Sequence, residues 1–140
     1  MVYAKFLAII SFNNARLGYF HAMVHQMSDF YDFPQGVCNA LLLPNVIEFC
    51  AHKCSNEKLL KITSLFGKEN KPYNKDPKYF IIIKIKELSK TIRIPKGFKE
   101  LVLEKYLITF VENALKDACG FISPRVATKD EIIEIYKKLM

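Results

Sequence analysis

No apolar run in this 140-residue chain reaches the roughly 18 residues that a membrane span needs. The chain has only five glycines. None belongs to a G-x-G-x-x-G or other Gly-rich turn of the kind that meets a pyrophosphate between a strand and a helix, so dinucleotide binding by this chain alone is not expected. No internal repeat is present. The opening "MVYAKFLAIISFNNA" has a short apolar stretch that runs into Asn13 and Asn14, with no small-residue cleavage pattern, and does not read as a secretory signal. The cysteines also lack a metal spacing. Cys50, His52 and Cys54 form a C-x-H-x-C clip that matches no zinc pattern, and no second pair follows. The four cysteines read as reduced, mostly buried thiols of a cytoplasmic protein.

What is present is a globular composition, 51% hydrophobic and 25% charged, in a chain long enough to bury a core as one domain. The net charge of +7 raises nucleic acid as a partner. The basic residues, however, are spread over helix faces where solvated lysine is ordinary. The one dense run, "GKENKPYNKDPK", is interrupted by acids and reads as a solvated loop. A nucleic-acid partner is not expected.

The apolar periodicity is helical along most of the chain. Residues 2–28 read as one long helix, apolar nearly all round, suited to the centre of a bundle. Asp29 to Gly36 reads as a turn built on Pro34 and Gly36. Helix resumes over 37–54, interrupted by Pro44, and again over 56–66 with Ser55 as N-cap. A loop over 67–78 precedes "KYFIIIKIKELSKTI". Its first half alternates like a strand, but an isolated strand would have no partner, so helix is expected, ended by Pro95 and Gly97. Residues 104–119 place Leu107, Phe110, Val111, Ala114, Leu115 and Ala118 on one face. "GFISPR" is a turn. Thr128 and Glu131 form a T-x-x-E capping box, and Ile132, Ile135, Tyr136 and Leu139 point the last helix at the core. The fold expected is an all-α bundle.

His21 and His25 lie one helical turn apart on one face. That geometry suits a metal ligand with a neighbour, or a metal ligand with a proton carrier. Two buried, hydrogen-bonded structural histidines would give the same pattern.

The surrounding stretch "FNNARLGYFHAMVHQMSDFYDFPQGVCNALLLP" resembles the iron-containing (group III) alcohol dehydrogenase family, whose helix reads F-N-N-A-x-L-G-x-x-H-A-x-A-H-x-L-G-G before a loop P-H-G-V-x-N-A. "ENALKDACGFISPRVATKDEI" resembles the family's closing A-L-x-D-A-C, N-P-R and capped final helix. The similarity spans essentially the whole chain and is nearest the 1,3-propanediol dehydrogenase and lactaldehyde reductase branch. It implies the family's C-terminal helical domain, of the dehydroquinate synthase-like α type. It also implies the reaction, reversible hydride transfer between an alcohol and NAD(P), with Fe2+ or zinc polarising the alcohol oxygen. The family's metal is held by one aspartate and three histidines. The resemblance places one of those histidines at His21 and a substrate-side proton relay at His25. It places the last ligand at Gln35, where an amide stands instead of imidazole. The aspartate and the remaining histidine lie upstream of everything in this chain.

Other departures follow. Ser28 and Asp29 replace a Gly-Gly pair, Ile9 and Arg16 replace small residues, Asn45 stands where histidine is frequent, and Ser123 replaces the Asn of N-P-R while Pro124 and Arg125 remain. Met1 aligns inside a family helix. The resemblance therefore implies a single partial domain over residues 1–140, truncated at its N-terminus and lacking the dinucleotide-binding domain. The function expected is that of a C-terminal fragment of an NAD(P)-dependent alcohol dehydrogenase, inactive alone, with no stoichiometric metal or dinucleotide of its own. Were a metal held, Asp29, Asp32 and His52 are further candidate ligands. The alternative is one subunit of a split dehydrogenase, complemented by a separate N-terminal cofactor-domain chain or self-associating through an exposed apolar face. A basic helical interaction module is the third reading. No membrane partner is expected.

Overall fold

The computed structural model describes residues 1–15, 17–66, 76–95, 97 and 104–140. Seven helices are found among them: α1 (Val2–Ala15), α2 (Tyr19–Tyr31), α3 (Gln35–Ala51), α4 (Asn56–Ser64), α5 (Pro77–Thr91), α6 (Glu104–Lys116) and α7 (Lys129–Lys137). A 3-10 turn (Ala118–Ile122) joins α6 to α7, and no strand occurs among the described residues. No helix of the described residues is long and apolar enough to cross a membrane.

The single helix expected over residues 2–28 is two helices. Gly18 is extended, with φ −137° and ψ −168°, and its carbonyl accepts from the N–H groups of His21 and Ala22 as α2 begins. A sequence apolar on every side gives no register by which such a break could be read. The halves also differ in role. In α2, Tyr19, Ala22, Met23, Val24 and Met27 are buried, so this half is central. None of the residues of α1 is buried, so this half is not the bundle centre that its hydrophobicity suggested. Arg16 and most of the 67–78 loop, residues 67–75, lie outside the described residues.

The remaining elements are locally explained. Asp32 caps α2 in the left-handed conformation, φ 52°, which a short polar side chain tolerates. The turn is therefore shorter than the Asp29–Gly36 expected, and α3 begins at Gln35. Pro44 does not interrupt α3, which continues through it. An interior proline costs a helix about 3 kcal/mol, and burial of Cys38, Leu41, Leu42, Val46 and Phe49 on the same helix offsets it. Ser55 caps α4 by accepting from the Lys58 N–H. Asp76 caps α5 by accepting from the Lys78 N–H at 2.9 Å, and Pro77 occupies the first turn. The ambiguous isoleucine run is thus helix. Helix α6 stops at Lys116, before the expected end at 119, because the Asp117 side chain accepts the Cys119 N–H and starts the 3-10 turn. Ala118 is accordingly exposed rather than on the core face. In α7 both bonds of the Thr128–Glu131 capping box form.

Helix α2 packs against α3, α6 and the 3-10 turn. Helix α5 lies on α3 and carries α4, while α7 closes against α6 and α3. The main core gathers Met23, Met27, Leu42, Phe110, Val111, Ile132, Ile135 and Tyr136, with Leu139 at its edge. The Tyr136 hydroxyl donates to the Met23 carbonyl at 3.0 Å, which pins α7 to α2. Burial pushes this phenol far above its ordinary pKa, so it remains a donor. A smaller cluster of Ala51, Leu59 and Ile81 holds α4 and α5 to the end of α3. Cys38 is the one fully buried thiol; Cys50, Cys54 and Cys119 are partly exposed, so "mostly buried" overstated them.

Candidate functional site

His21 and His25 project from the part of α2 that the core leaves half-open. Their ring centroids are 6.4 Å apart. His21 sits among aromatic rings, edge-on to Phe20 at 4.9 Å and tilted against Phe12 at 6.0 Å. Burial, and then the neighbouring His25, lower its pKa from 6.5. The folded chain therefore takes up the His21 proton less readily than the unfolded chain does. Stability should be full above pH 6.5 and should fall as pH drops through 6.5 towards the folded-state value. Thermal melts between pH 7.5 and 5.5 should show Tm decreasing, and His21→Gln should flatten that decrease. An equal decrease in the variant would place the proton uptake elsewhere.

His25 is held differently. Its Nδ1 lies 3.0 Å from Oδ2 of Asp117. An ionised carboxylate only accepts, so Nδ1–H donates and Nε2 is left as the free ring nitrogen. Asp117 also accepts the Cys119 N–H at 2.8 Å through Oδ1. Burial alone would raise the Asp117 pKa, but the bonds from His25 and from Cys119 outweigh it and hold the carboxyl below its ordinary value. The Cys119 thiol lies near this carboxylate; its pKa is raised by burial first and then by Asp117.

A glycine makes this meeting of helices feasible. A Cβ on Gly120 would lie 2.6 Å from Cε1 of Tyr19, so only glycine lets the 3-10 turn close onto the start of α2. That closure carries Asp117 and Cys119 up to His25.

Gln35, the third residue of sequence interest, is exposed in the first turn of α3. Asp29 and Asp32 are exposed, as is His52 at the C-terminus of α3. Among the described residues, the one group of at least three His, Cys, Asp or Glu side chains close enough to share a cation is His25, Asp117 and Cys119. His21, Asp29, Asp32 and His52 are not part of it. At the resemblance's ligand positions these residues offer one imidazole, His21, with aromatic rings beside it, and at Gln35 a neutral amide, a poor ligand for a divalent metal. Sequence reasoning passed over Asp117 and Cys119 as functional residues. The signal was present as D-x-C at the end of an amphipathic helix, without anything local to say that His25 would meet it.

Comparison with known proteins resolves what this bundle is. The sequence profile described as "Fe-containing alcohol dehydrogenase family, C-terminal" matches residues 1–140. The chain belongs to the iron-containing alcohol dehydrogenase family. Within that family it is 40% identical over 141 residues to alcohol dehydrogenase 4 of Saccharomyces cerevisiae strain YJM789, covering 99% of this chain and 35% of that protein. It is likewise 40% identical over 141 residues to the 1,3-propanediol dehydrogenase of Citrobacter freundii, covering 99% of this chain and 36% of the relative. A crystal structure of 1,3-propanediol oxidoreductase superposes with a TM-score of 0.90 at 38% identity, over 99% of this chain and 36% of that one. The bundle is thus the iron-dehydrogenase C-terminal helical fold, and the chain spans about a third of the length of these relatives.

Proposed function

We propose that this chain is the C-terminal helical part of an iron-type NAD(P)-dependent alcohol dehydrogenase and does not by itself transfer hydride. The observation that carries this reading is Gln35: the last family ligand position holds an exposed amide, while His21 alone keeps an imidazole. His25 fits the proton-relay role that the resemblance gives it, because Asp117 fixes its tautomer and leaves Nε2 as the ring nitrogen that can take a proton. Such a relay has nothing to serve unless alcohol, dinucleotide and metal are brought to it. The cytoplasmic location expected from the cysteines and the lack of a secretion signal goes with this reading.

The test is a purified 140-residue chain assayed with 1,3-propanediol or ethanol, NAD+ or NADP+, and added Fe2+ or Zn2+. No turnover above buffer is expected, and calorimetry should show no saturable dinucleotide binding. Steady oxidation of either alcohol by the chain alone would overturn the proposal.

A second reading, one half of a split dehydrogenase, is favoured by α1. This helix leaves Val2, Tyr3, Phe6 and Leu7 between 60% and 86% exposed, an apolar surface of the kind that marks an interaction site. A separate chain carrying a dinucleotide-binding domain would cover it, and self-association would be the substitute in its absence. Activity that appears only on co-expression with such a chain would support this reading over the first.

A further inference from the structure

We propose that His25, Asp117 and Cys119 form a binding site for one Zn2+ ion. Each side chain offers one ligand atom, and the three atoms lie within 4.8 Å of one another. A tetrahedral zinc with bonds of 2.0 to 2.3 Å needs ligand atoms roughly 3.3 to 3.8 Å apart. His25 and Asp117 are already at 3.0 Å, and the remaining ligand-atom separations must close from at most 4.8 Å to that range. All three residues are partly buried, which limits the water competing for the ion.

The donor set selects the metal. Thiolate and imidazole favour zinc over magnesium or calcium, which prefer all-oxygen shells. The charges also balance: one thiolate and one carboxylate neutralise a dication, so the filled site is electrically neutral in a partly buried place. In the free protein the same carboxylate accepts from the His25 ring through Oδ2 and from the Cys119 backbone N–H through Oδ1. Zinc would take the place of the ring hydrogen on Oδ2. The Cys119 proton leaves to solvent as the sulfur becomes a thiolate. His25 exchanges its Nδ1 proton for one on Nε2, so that Nδ1 can coordinate. The net result is one proton released per ion bound.

The site is open on one side. Cys119 lines an open cavity of about 270 Å³ with Phe12, Asn13, Leu17, Ala118 and Ile122, so the sulfur side of the site can be approached from solvent. The other chemistry that Cys, His and Asp suggest, a thiol nucleophile activated by histidine, does not fit. His25 turns its Nδ1–H to Asp117, and burial and the carboxylate raise the thiol pKa instead of lowering it. With three protein ligands rather than four, the site should load when zinc is supplied and be empty after chelation, in keeping with the absence of stoichiometric metal expected from the sequence.

The experiment uses the full 140-residue chain, stripped with chelator and kept reduced. Calorimetric titration with zinc chloride in buffers of different ionisation enthalpy should give one ion bound and about one proton released per chain. Cobalt(II) in place of zinc should produce a thiolate-to-metal charge-transfer band. Cys119→Ser should remove the band and weaken zinc binding more than about 100-fold, since losing even an outer partner of a metal ligand commonly costs 10- to 100-fold. Cys54→Ser should change neither, which separates this site from the Cys50–His52–Cys54 clip. The proposal is overturned if Cys119→Ser binds zinc as the unmodified chain does, if Cys54→Ser abolishes binding, or if the unmodified chain takes up no zinc. It is also overturned if the unmodified chain binds cobalt without a thiolate band, a result that does not depend on how any variant folds.

Discussion

Phe110→Ala should remove about 3–5 kcal/mol of folding stability. Phe110 is fully buried on α6. Its ring meets Phe30 at 5.0 Å and Tyr31 at 5.7 Å, both from α2, and Tyr136 of α7 at 6.0 Å. One side chain therefore joins three helices. Truncation forfeits the transfer free energy of the ring and leaves a cavity that these aromatics cannot refill, because each is anchored by its own helix. Small domains typically have only about 5–15 kcal/mol in total, so the variant should be largely unfolded at temperatures the parent withstands. Phe110→Leu keeps most of the volume and should cost less than half as much. Urea unfolding followed by circular dichroism checks both. A loss under about 1 kcal/mol for Phe110→Ala would mean that α6 is not held to α2 and α7 as described.

The face of α6 that carries Phe110 was legible in the sequence because amphipathic periodicity is local information. The same holds for the caps at Ser55 and Thr128, where donor and acceptor lie within one turn. The isoleucine run at 81–85 could be assigned to helix only through a global condition, the want of a partner strand. Two features escaped local reading for opposite reasons. In residues 2–15 the hydrophobicity was too uniform, so neither the break at Gly18 nor the exposure of α1 left a mark in the pattern. Composition says that a segment is apolar; it does not say that the chain itself supplies the cover. The meeting of His25 with Asp117 escaped because 92 residues separate them. It depends on the path of α6 across α2 and on Gly120 passing the Tyr19 ring, neither of which has a sequence period. Family resemblance supplied the fold and attached roles to His21 and His25. It also marked the amide at Gln35, but it did not show that His25 and Asp117 meet.

Arg125 shows what a retained family residue does in this bundle, and its removal is the second large effect expected. It follows Pro124 in the S-P-R stretch, a quarter exposed, where the chain crosses from the 3-10 turn to α7. The guanidinium carbon lies 4.0 Å from the centroid of the Phe49 ring. Nη1 donates to the Phe49 carbonyl at 3.2 Å, near the end of α3, and Nη2 pairs with Glu131, whose other oxygen closes the α7 capping box. The guanidinium thus ties the C-terminal turn of α3 to the N-terminal turn of α7, placing positive charge where carbonyls of α3 lack helical partners. A hydrogen bond from a charged donor is worth about 1.5–3 kcal/mol and cation–π stacking about 0.5–2 kcal/mol when partly desolvated. Arg125→Ala should therefore cost about 2–4 kcal/mol. Arg125→Lys keeps the charge but loses the flat stacking surface and the forked donors, so it should recover less than half of that loss. Urea melts of both variants give the comparison. Full recovery by lysine would reduce the role of Arg125 to charge alone, and a neutral Arg125→Ala would show that α7 is held by its apolar face without this clasp.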